Sequence, residues 1–311
     1  RERLNMSSIT NSPGSFFNRS LREMADLRAG IERSRTQIAT GSRIERGSQD
    51  PAAAAQLRSV ARREALAQVE GDNAARLGQD LGAAATEVEA VIALFQRVRE
   101  LAVAAANTPL GENGRRAVAF ELEQLREELF SRANATSLTG EPLFAGQSSG
   151  SAFTRDAAGN VTYAGTPTSG AVPVAPGTAI ERGLPGSEVF EFQLNGSPSS
   201  AFAVLGGLVA ALQGGAGDPA AAANAAIEGI DAALDATARA ATILGTRMAW
   251  VEQVETQQAD RRVALAERRS RVGDTDIAEA IARLQQSLTA LEASQSAFAR
   301  VSSLTLFDAL R

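Results

Sequence analysis

The chain has 311 residues, 44% of them hydrophobic and 22% charged, so it can bury a sizeable core in one to three domains. It has no cysteine, histidine or lysine, and its 31 basic residues are all arginine. This composition excludes disulfides, thiolate and imidazole catalysis, zinc sites of the usual kind and lysine-dependent phosphate loops. We therefore expect no enzyme activity, metal or cofactor, and the net charge of −5 argues against nucleic-acid binding.

Membrane insertion is not expected, because the longest apolar stretch, Ala201–Leu212, is too short to span a bilayer and contains two glycines. The segment Arg1–Ser12 has no apolar core of the kind found in cleaved signal peptides. If the protein leaves the cytoplasm, we expect it to do so without a cleaved signal.

The first predicted helix runs from about Pro13 to Ala39, and Gly41 is placed to close it. Asp50 and Pro51 form a helix start, in which the aspartate accepts from free backbone amides and the proline is preset for the first turn. The apolar stripe of the first helix is Leu21, Met24, Leu27, Ile31 and Ile38, and its first four residues are candidates for the assembly interface.

A long helix follows, and from Leu77 to Ala105 its apolar residues alternate at spacings of four and three. This spacing is typical of a coiled-coil seam, which must be buried against another long helix. Apart from its alanines, the predicted rod seam consists of Leu77, Leu81, Val88, Val91, Phe95 and Val98.

A third helix is predicted after the break at Pro109–Asn113. Between Thr139 and Ser200 the pattern changes to glycine, proline, serine and β-forming residues, which indicates hairpins. An insert of about sixty residues has marginal stability when it folds alone, so we expect it to pack against the helices or against neighbouring subunits. Its candidate strand core is Val172, Val174, Ile180, Val189, Phe190 and Phe192.

The second half repeats the pattern, with a helix start at Asp218-Pro219 and then an apolar stripe at the same spacings. The stripe consists of Ile230, Leu234, Thr237, Ala241, Leu244, Met248 and Val251. We predict that this helix pairs antiparallel with the rod seam. After Gly273, Asp276 and Glu279 form a capping-box pattern for a last helix. Its apolar residues are Ile277, Ile281, Leu284, Leu288, Leu291, Phe298, Leu304, Leu306, Phe307 and Leu310.

The predicted fold is therefore mainly α with a small β insert, and both halves of the chain form a long antiparallel coiled-coil rod. We assign residues 1–45 and 274–311 to terminal assembly helices, 46–138 and 201–273 to the rod, and 139–200 to the insert. The terminal stripes have no evident partner within one chain, so we expect them to form the assembly interface.

Several segments, in the same order, resemble the bacterial flagellins and their relatives. They are Thr40–Ile44, Asp50–Ala54, Gln96–Val103, Asp274–Ile281, Leu291–Gln295 and Ser303–Leu310. Two further segments, Leu143–Gly146 and Gly159–Gly165, are more similar to the hook-filament junction branch of this superfamily than to filament subunits. The resemblance covers nearly the whole chain.

This resemblance implies a flagellin-like fold and a structural subunit of the flagellum that joins hook-associated proteins to the flagellin filament. The implied partners are further copies of the chain in a ring, another hook-associated protein, flagellin and an export chaperone. Type III flagellar export and an extracellular position at the hook-filament junction are implied as well.

Two other functions stay open at this stage: flagellin itself, and a glycan-binding or surface-binding insert on a helical stalk. The resemblance also suggests Gln96–Val103 as a face for the innate immune receptor of flagellin. Val98 and Ala102 have packing roles, which leaves Gln96, Arg97, Arg99 and Glu100 for recognition. Acid pairs such as Asp274 and Asp276 are better explained as helix caps than as catalytic groups. Trp250 and Tyr163 are expected in the core.

Overall fold

The computed structural model describes residues 13–107, 111–214 and 218–308. For residues 13, 14 and 303–308 it describes the backbone only. Helices dominate this part of the chain, as predicted. They are α1 (Pro13–Thr40), α2 (Pro51–Asn107), α3 (Glu112–Ala133), α4 (Gly186–Phe190), α5 (Ala201–Leu212), α6 (Pro219–Gly273) and α7 (Ile277–Asp308). The strands are β1 (Phe153–Arg155), β2 (Val161–Tyr163), β3 (Ala171–Ala175), β4 (Thr178–Glu181), β5 (Glu191–Leu194) and β6 (Ser197–Ser200).

The chain divides into two compact units. The first, the terminal unit, contains residues 1–64 and 263–311, and the second, the central unit, contains residues 65–262. The divisions fall within α2 and α6 rather than at the helix breaks where the sequence places the domain boundaries. The three-part division into terminal helices, rod and insert stays a prediction.

In the central unit, α2 and α6 run antiparallel. The Arg99 Nε lies 2.7 Å from Asp231 Oδ1, and nearer the other end the Arg261 Nη1 lies 3.0 Å from Glu70 Oε2. As position numbers rise along one helix they fall along its neighbour, which is the antiparallel order predicted. The rod-seam residues are buried, with exposed fractions of 2% or less for Leu77, Leu81, Val88, Val91, Phe95 and Val98.

The buried face of α6 differs from the stripe that the sequence suggests. Four residues of that stripe are buried, namely Ile230, Thr237, Leu244 and Val251, but Met248 is 37% exposed. Three alanines outside the stripe are buried as well, namely Ala233, Ala236 and Ala240. The Thr237 hydroxyl donates to the Ala233 and Leu234 carbonyls at 2.9 and 3.0 Å, so this buried polar group is satisfied. The buried α6 residues of this unit from Ile230 onward are Ile230, Ala233, Ala236, Thr237, Ala240, Leu244, Val251, Val254 and Gln258.

Three antiparallel hairpins, β1–β2, β3–β4 and β5–β6, make up the sheet structure of the insert. The β5–β6 turn is Asn195-Gly196, and both residues have positive φ angles, 51° and 76°. Such angles define the type I′ turns that match the twist of a tight hairpin. Val189 and Phe190 were predicted in strands but lie in α4, where both are buried. Phe190 packs edge-on against Phe144 and Phe153. This residue, directly before β5, is therefore part of an aromatic core.

Polar side chains of the long helices bind backbone carbonyls of the β3–β4 hairpin and the segment after it. Asn73 Nδ2 donates to the Pro173 carbonyl at 3.0 Å, and Gln258 Nε2 donates to the Val174 carbonyl at 2.9 Å. Arg247 Nη1 donates to the Gly183 carbonyl at 2.6 Å. These bonds satisfy backbone acceptors that the short hairpin leaves free. The hairpin and the segment after it are therefore bound to α2 and α6, as the small size of the insert predicts.

Candidate assembly surface

The terminal unit is organised around two helix breaks. The first helix ends at Thr40, and the next residue, Gly41, has a φ angle of 68° in the left-handed region that glycine tolerates. Asp50 then caps α2, because its Oδ1 accepts the Ala53 amide at 2.9 Å. That amide is the main reason the pKa of Asp50 lies below its usual value, and Arg43 adds to the effect. On the other half of the chain, Asp276 Oδ1 accepts the Glu279 amide at 3.1 Å and caps α7.

The two terminal helices α1 and α7 pack against each other along their length. The Phe17 and Phe298 rings meet edge-to-face with centroids 5.2 Å apart, and at the opposite end Ser42 bridges to Asp274. This order is antiparallel. The inward residues repeat at spacings of three and four on both helices, namely Phe17, Ser20, Met24, Leu27, Ile31, Ser34 and Ile38 on α1, and Ala280, Leu284, Ser287, Leu291, Ser294 and Phe298 on α7.

The expectation that neither terminal stripe has a partner within the chain is therefore wrong. Met24 and Ile31 are buried, with exposed fractions of 8% and 4%, and Leu27 is half-buried. Each stripe meets the other because α1 and α7 are both amphipathic and the helix breaks lie side by side. Of the α1 residues proposed for assembly, Leu21 is the one that the structure leaves exposed, at 52%.

The apolar residues of α7 lie on two different faces. Leu284, Leu291 and Phe298 are half-buried in the pair with α1. The other three form a row that we call the α7 apolar edge, and their exposed fractions are 51% for Ile277, 41% for Ile281 and 38% for Leu288. Because these side chains lie in one row on the helix, they are a candidate interaction surface.

Four residues predicted for the assembly interface have no described side chain. The side chains of Leu304, Leu306 and Phe307 and the whole of Leu310 lie outside the described residues. Their role in assembly stays a prediction.

In the segment Gln96–Val103, charged side chains that could bind a receptor form ion pairs within the chain. Arg97 Nη2 lies 2.6 Å from Glu121, and Arg97 Nη1 lies 2.9 Å from Glu100. These hydrogen bonds, chiefly the one to Glu121, raise the pKa of Arg97 above its usual value. The hydrogen bond to Asp231 does the same for the pKa of Arg99. The charged side chains that the sequence suggests for receptor recognition are thus engaged within the chain.

Several charged side chains of the helices form ion pairs with other helices or helix segments. Glu87 pairs with Arg132 at 3.1 Å, and Arg269 pairs with Glu64 at 3.5 Å. Among the described residues, no group of three or more acidic side chains is placed to hold a metal ion. Nor does any helix in the described ranges have the length and hydropathy needed to cross a membrane.

Sequence reasoning also misplaced Trp250 and missed several residues of the α1–α7 pair. Trp250 was expected in the core but is 47% exposed, whereas Tyr163 is half-buried and donates to the Phe144 and Thr166 carbonyls. The missed positions are serines of the α1–α7 pair, including Ser34, which is 9% exposed. Their heptad spacing was a usable signal, but a search for apolar residues alone passes over it.

These features define a class of protein: a mainly α-helical chain whose two terminal helices pair with each other and leave an apolar edge exposed. Comparison with known families gives the particular case. The N-terminal helical region of bacterial flagellin matches residues 17–149, and the C-terminal helical region matches residues 227–308. Together these matches cover about two-thirds of the chain. The chain belongs to the bacterial flagellin family.

The relatives agree with this assignment. The chain is 28% identical, over 94% of its length and 97% of the relative's, to flagellar hook-associated protein 3 of Escherichia coli strain K12. Its fold is similar to that of a putative flagellar hook-associated protein from Vibrio parahaemolyticus, with a TM-score of 0.66 at 20% identity over 72% of this chain and 99% of the other. A flagellar junction protein from Legionella pneumophila gives a TM-score of 0.58 at 16% identity over 70% and 100%.

Proposed function

We propose that this protein is a structural subunit of the bacterial flagellum that joins hook-associated proteins to the flagellin filament. The observation that carries the proposal is the end-to-end similarity to a hook-associated protein 3, together with a terminal helix pair that exposes the α7 apolar edge. The first supports the proposed position in the flagellum, and the second supports a role of the terminal unit in binding neighbouring subunits.

Assembly proceeds through the terminal unit. Each exposed Leu or Ile that leaves water contributes roughly 1.5–3 kcal/mol, so even the partial burial of three such side chains favours association. The partners are further copies of the chain in a ring, another hook-associated protein on one side and flagellin on the other. An export chaperone covers the apolar residues before assembly, and the chain leaves the cell through the flagellar type III apparatus.

Filament flagellin is the second candidate, because the matching family regions are those of flagellin itself. The junction role is favoured because a hook-associated relative aligns along nearly the full length of both chains. A glycan-binding or surface-binding insert on a helical stalk is less well supported. Hydrogen bonds from Asn73, Arg247 and Gln258 hold part of the insert against the helices.

The test is a strain lacking the gene, examined by electron microscopy. We expect hooks without filaments and flagellin lost to the medium. A strain that still assembles filaments on its hooks would contradict the junction role. Loss of the flagellin pool itself would instead identify the filament subunit.

The α7 apolar edge is tested by complementing that strain. The double variant Ile281→Ser/Leu288→Ser is expected to keep its melting temperature within a few degrees, because both side chains are already partly exposed, but to lose filament attachment. The control is Gln285→Ser, an exposed position on the same helix, which should attach filaments normally. Normal attachment by the double variant would remove the edge from the assembly interface.

A further inference from the structure

The two helix breaks of the terminal unit are bonded to each other through their backbones. The Arg43 amide donates to the Gly273 carbonyl at 2.7 Å, and the Thr275 amide donates to the Gly41 carbonyl at 2.8 Å. Between these bonds, Ser42 faces Asp274 in an antiparallel bridge. The linker between α1 and α2 and the linker between α6 and α7 therefore form one short two-stranded contact.

The side chain of Arg43 extends this contact to two helix ends. Its Nε and Nη2 atoms donate to the Val272 carbonyl at 3.2 and 2.9 Å. Its Nη1 lies 3.3 Å from Asp50 Oδ2, the carboxylate that caps α2. Val272 is one of the last residues of α6, where carbonyls have no partner within the helix. One guanidinium thus binds the C-terminal end of α6 and the N-terminal cap of α2 at the same time.

This role depends on the shape of the guanidinium as well as on its charge. The planar fork presents several donors in fixed directions, whereas a lysine ammonium is a compact point charge. The side chains of Arg43 and Asp50 are 44% and 36% exposed, and ion pairs in such positions contribute little to the free energy of unfolding. The arrangement is therefore better suited to fixing geometry than to raising stability.

We propose that Arg43 is a positioning residue that holds the two linkers together. It thereby fixes the direction in which the α1–α7 pair leaves the adjoining ends of α2 and α6 within the terminal unit. The proposal rests on the proposed function, because a fixed direction matters where the α7 apolar edge must meet a neighbouring subunit.

The first test is amide hydrogen exchange on the purified full-length chain. In Arg43→Ala, the amides of position 43 and Thr275 should exchange at least tenfold faster, while those of residues 77–105 keep their protection. Arg43→Lys should behave similarly, because it retains the charge but not the fork. Arg46→Ala is the control, since it removes an exposed arginine from the same linker. Equal exchange in Arg43→Ala and Arg46→Ala would overturn the proposal.

The second test uses the absence of cysteine from the chain. Ser42→Cys and Asp274→Cys introduce a facing pair, and the Cα separation of paired antiparallel residues suits a disulfide. Purified protein is supplied to cells that lack their own subunit, and attached filaments are counted. We expect Arg43→Ala to reduce the count at least tenfold, and the oxidised disulfide in that background to restore it. The reduced form of the same protein should remain defective.

The outcomes separate this proposal from the function on which it rests. If the unmodified chain attaches no filaments, the proposed function fails. If the unmodified chain and Arg43→Ala attach filaments equally, the positioning role is overturned while the function stands. A defect in Arg43→Ala that the disulfide does not repair also overturns it, because linker geometry is then not the cause.

Discussion

At the scale of single residues, burial separates neighbours that look alike in the sequence. Phe95 and Arg97 lie two positions apart on α2, yet the ring of Phe95 is fully buried while Arg97 lies on the surface and pairs with two glutamates. A shift of two residues turns a helix by about 200°. Position 97 therefore points away from the seam that buries position 95.

Phe95→Ala should lower the free energy of unfolding by about 3 to 5 kcal/mol, because it removes a buried ring and leaves a cavity. Arg97→Ala should lower it far less, because the surface ion pairs of Arg97 are screened by solvent. Urea unfolding followed by circular dichroism measures both variants against the unmodified chain. Equal effects would show that the seam has a different register in solution.

At the scale of elements, close approach between helices depends on small residues. Gly229 on α6 is buried, and a β-carbon there would lie 2.7 and 2.9 Å from the two methyl carbons of Val204 on α5. Gly245, further along α6, is exposed and has no atom within 4 Å of the same position. The two glycines share a helix but differ in what surrounds them.

Gly229→Ala should lower the free energy of unfolding by about 1 to 3 kcal/mol, because the branched side chain of Val204 cannot yield without moving α5. Gly245→Ala should raise it by about 0.5 to 1 kcal/mol, because alanine is the better helix former and meets nothing. Thermal and urea unfolding of the two variants give the signs. A stabilising Gly229→Ala would mean that α5 packs further from α6 than the structure places it.

At the scale of the whole molecule, the two units differ in how much apolar surface they bury. Within the described residues, the buried hydrophobic side chains of α1 and α7 are Met24, Ile31 and Ala280. Serines occupy several of the remaining inward positions of this pair. The central unit, in contrast, has a continuous cluster that includes the rod seam and the phenylalanines of the insert. The free energy of local opening should follow this difference.

Amide exchange in the purified monomer should therefore be faster in residues 15–40 and 277–302 than in residues 77–105. We expect a difference of at least a hundredfold in protection, because opening the α1–α7 pair exposes few buried side chains. Incorporation into the flagellum should protect the terminal helices, since neighbours then cover the α7 apolar edge. Equal protection of both regions in a proven monomer would contradict this hierarchy.

Local chemistry made much of the fold predictable from the sequence. The Asp50-Pro51 and Asp218-Pro219 starts, the glycine at position 41 and the cap at Asp276 act through bonds within a few residues, so they read directly as helix boundaries. The seam from Leu77 to Ala105 was also predictable, because apolar residues spaced by three and four positions lie on one face of a helix.

The tertiary structure decided which faces meet. Periodicity shows that α7 is amphipathic, but it does not distinguish the residues that pack on α1 from those of the α7 apolar edge. That choice depends on the neighbouring helix and on small residues such as Ser34 and Ser287, which are polar yet lie inward. The contact of Arg43 with Val272 joins positions 229 residues apart, so no local pattern could reveal it. The sequence by itself determined where helices begin, where they end and which of their faces are apolar, because those properties are local. Partner and register required the folded chain, because they depend on shape and distance between distant segments.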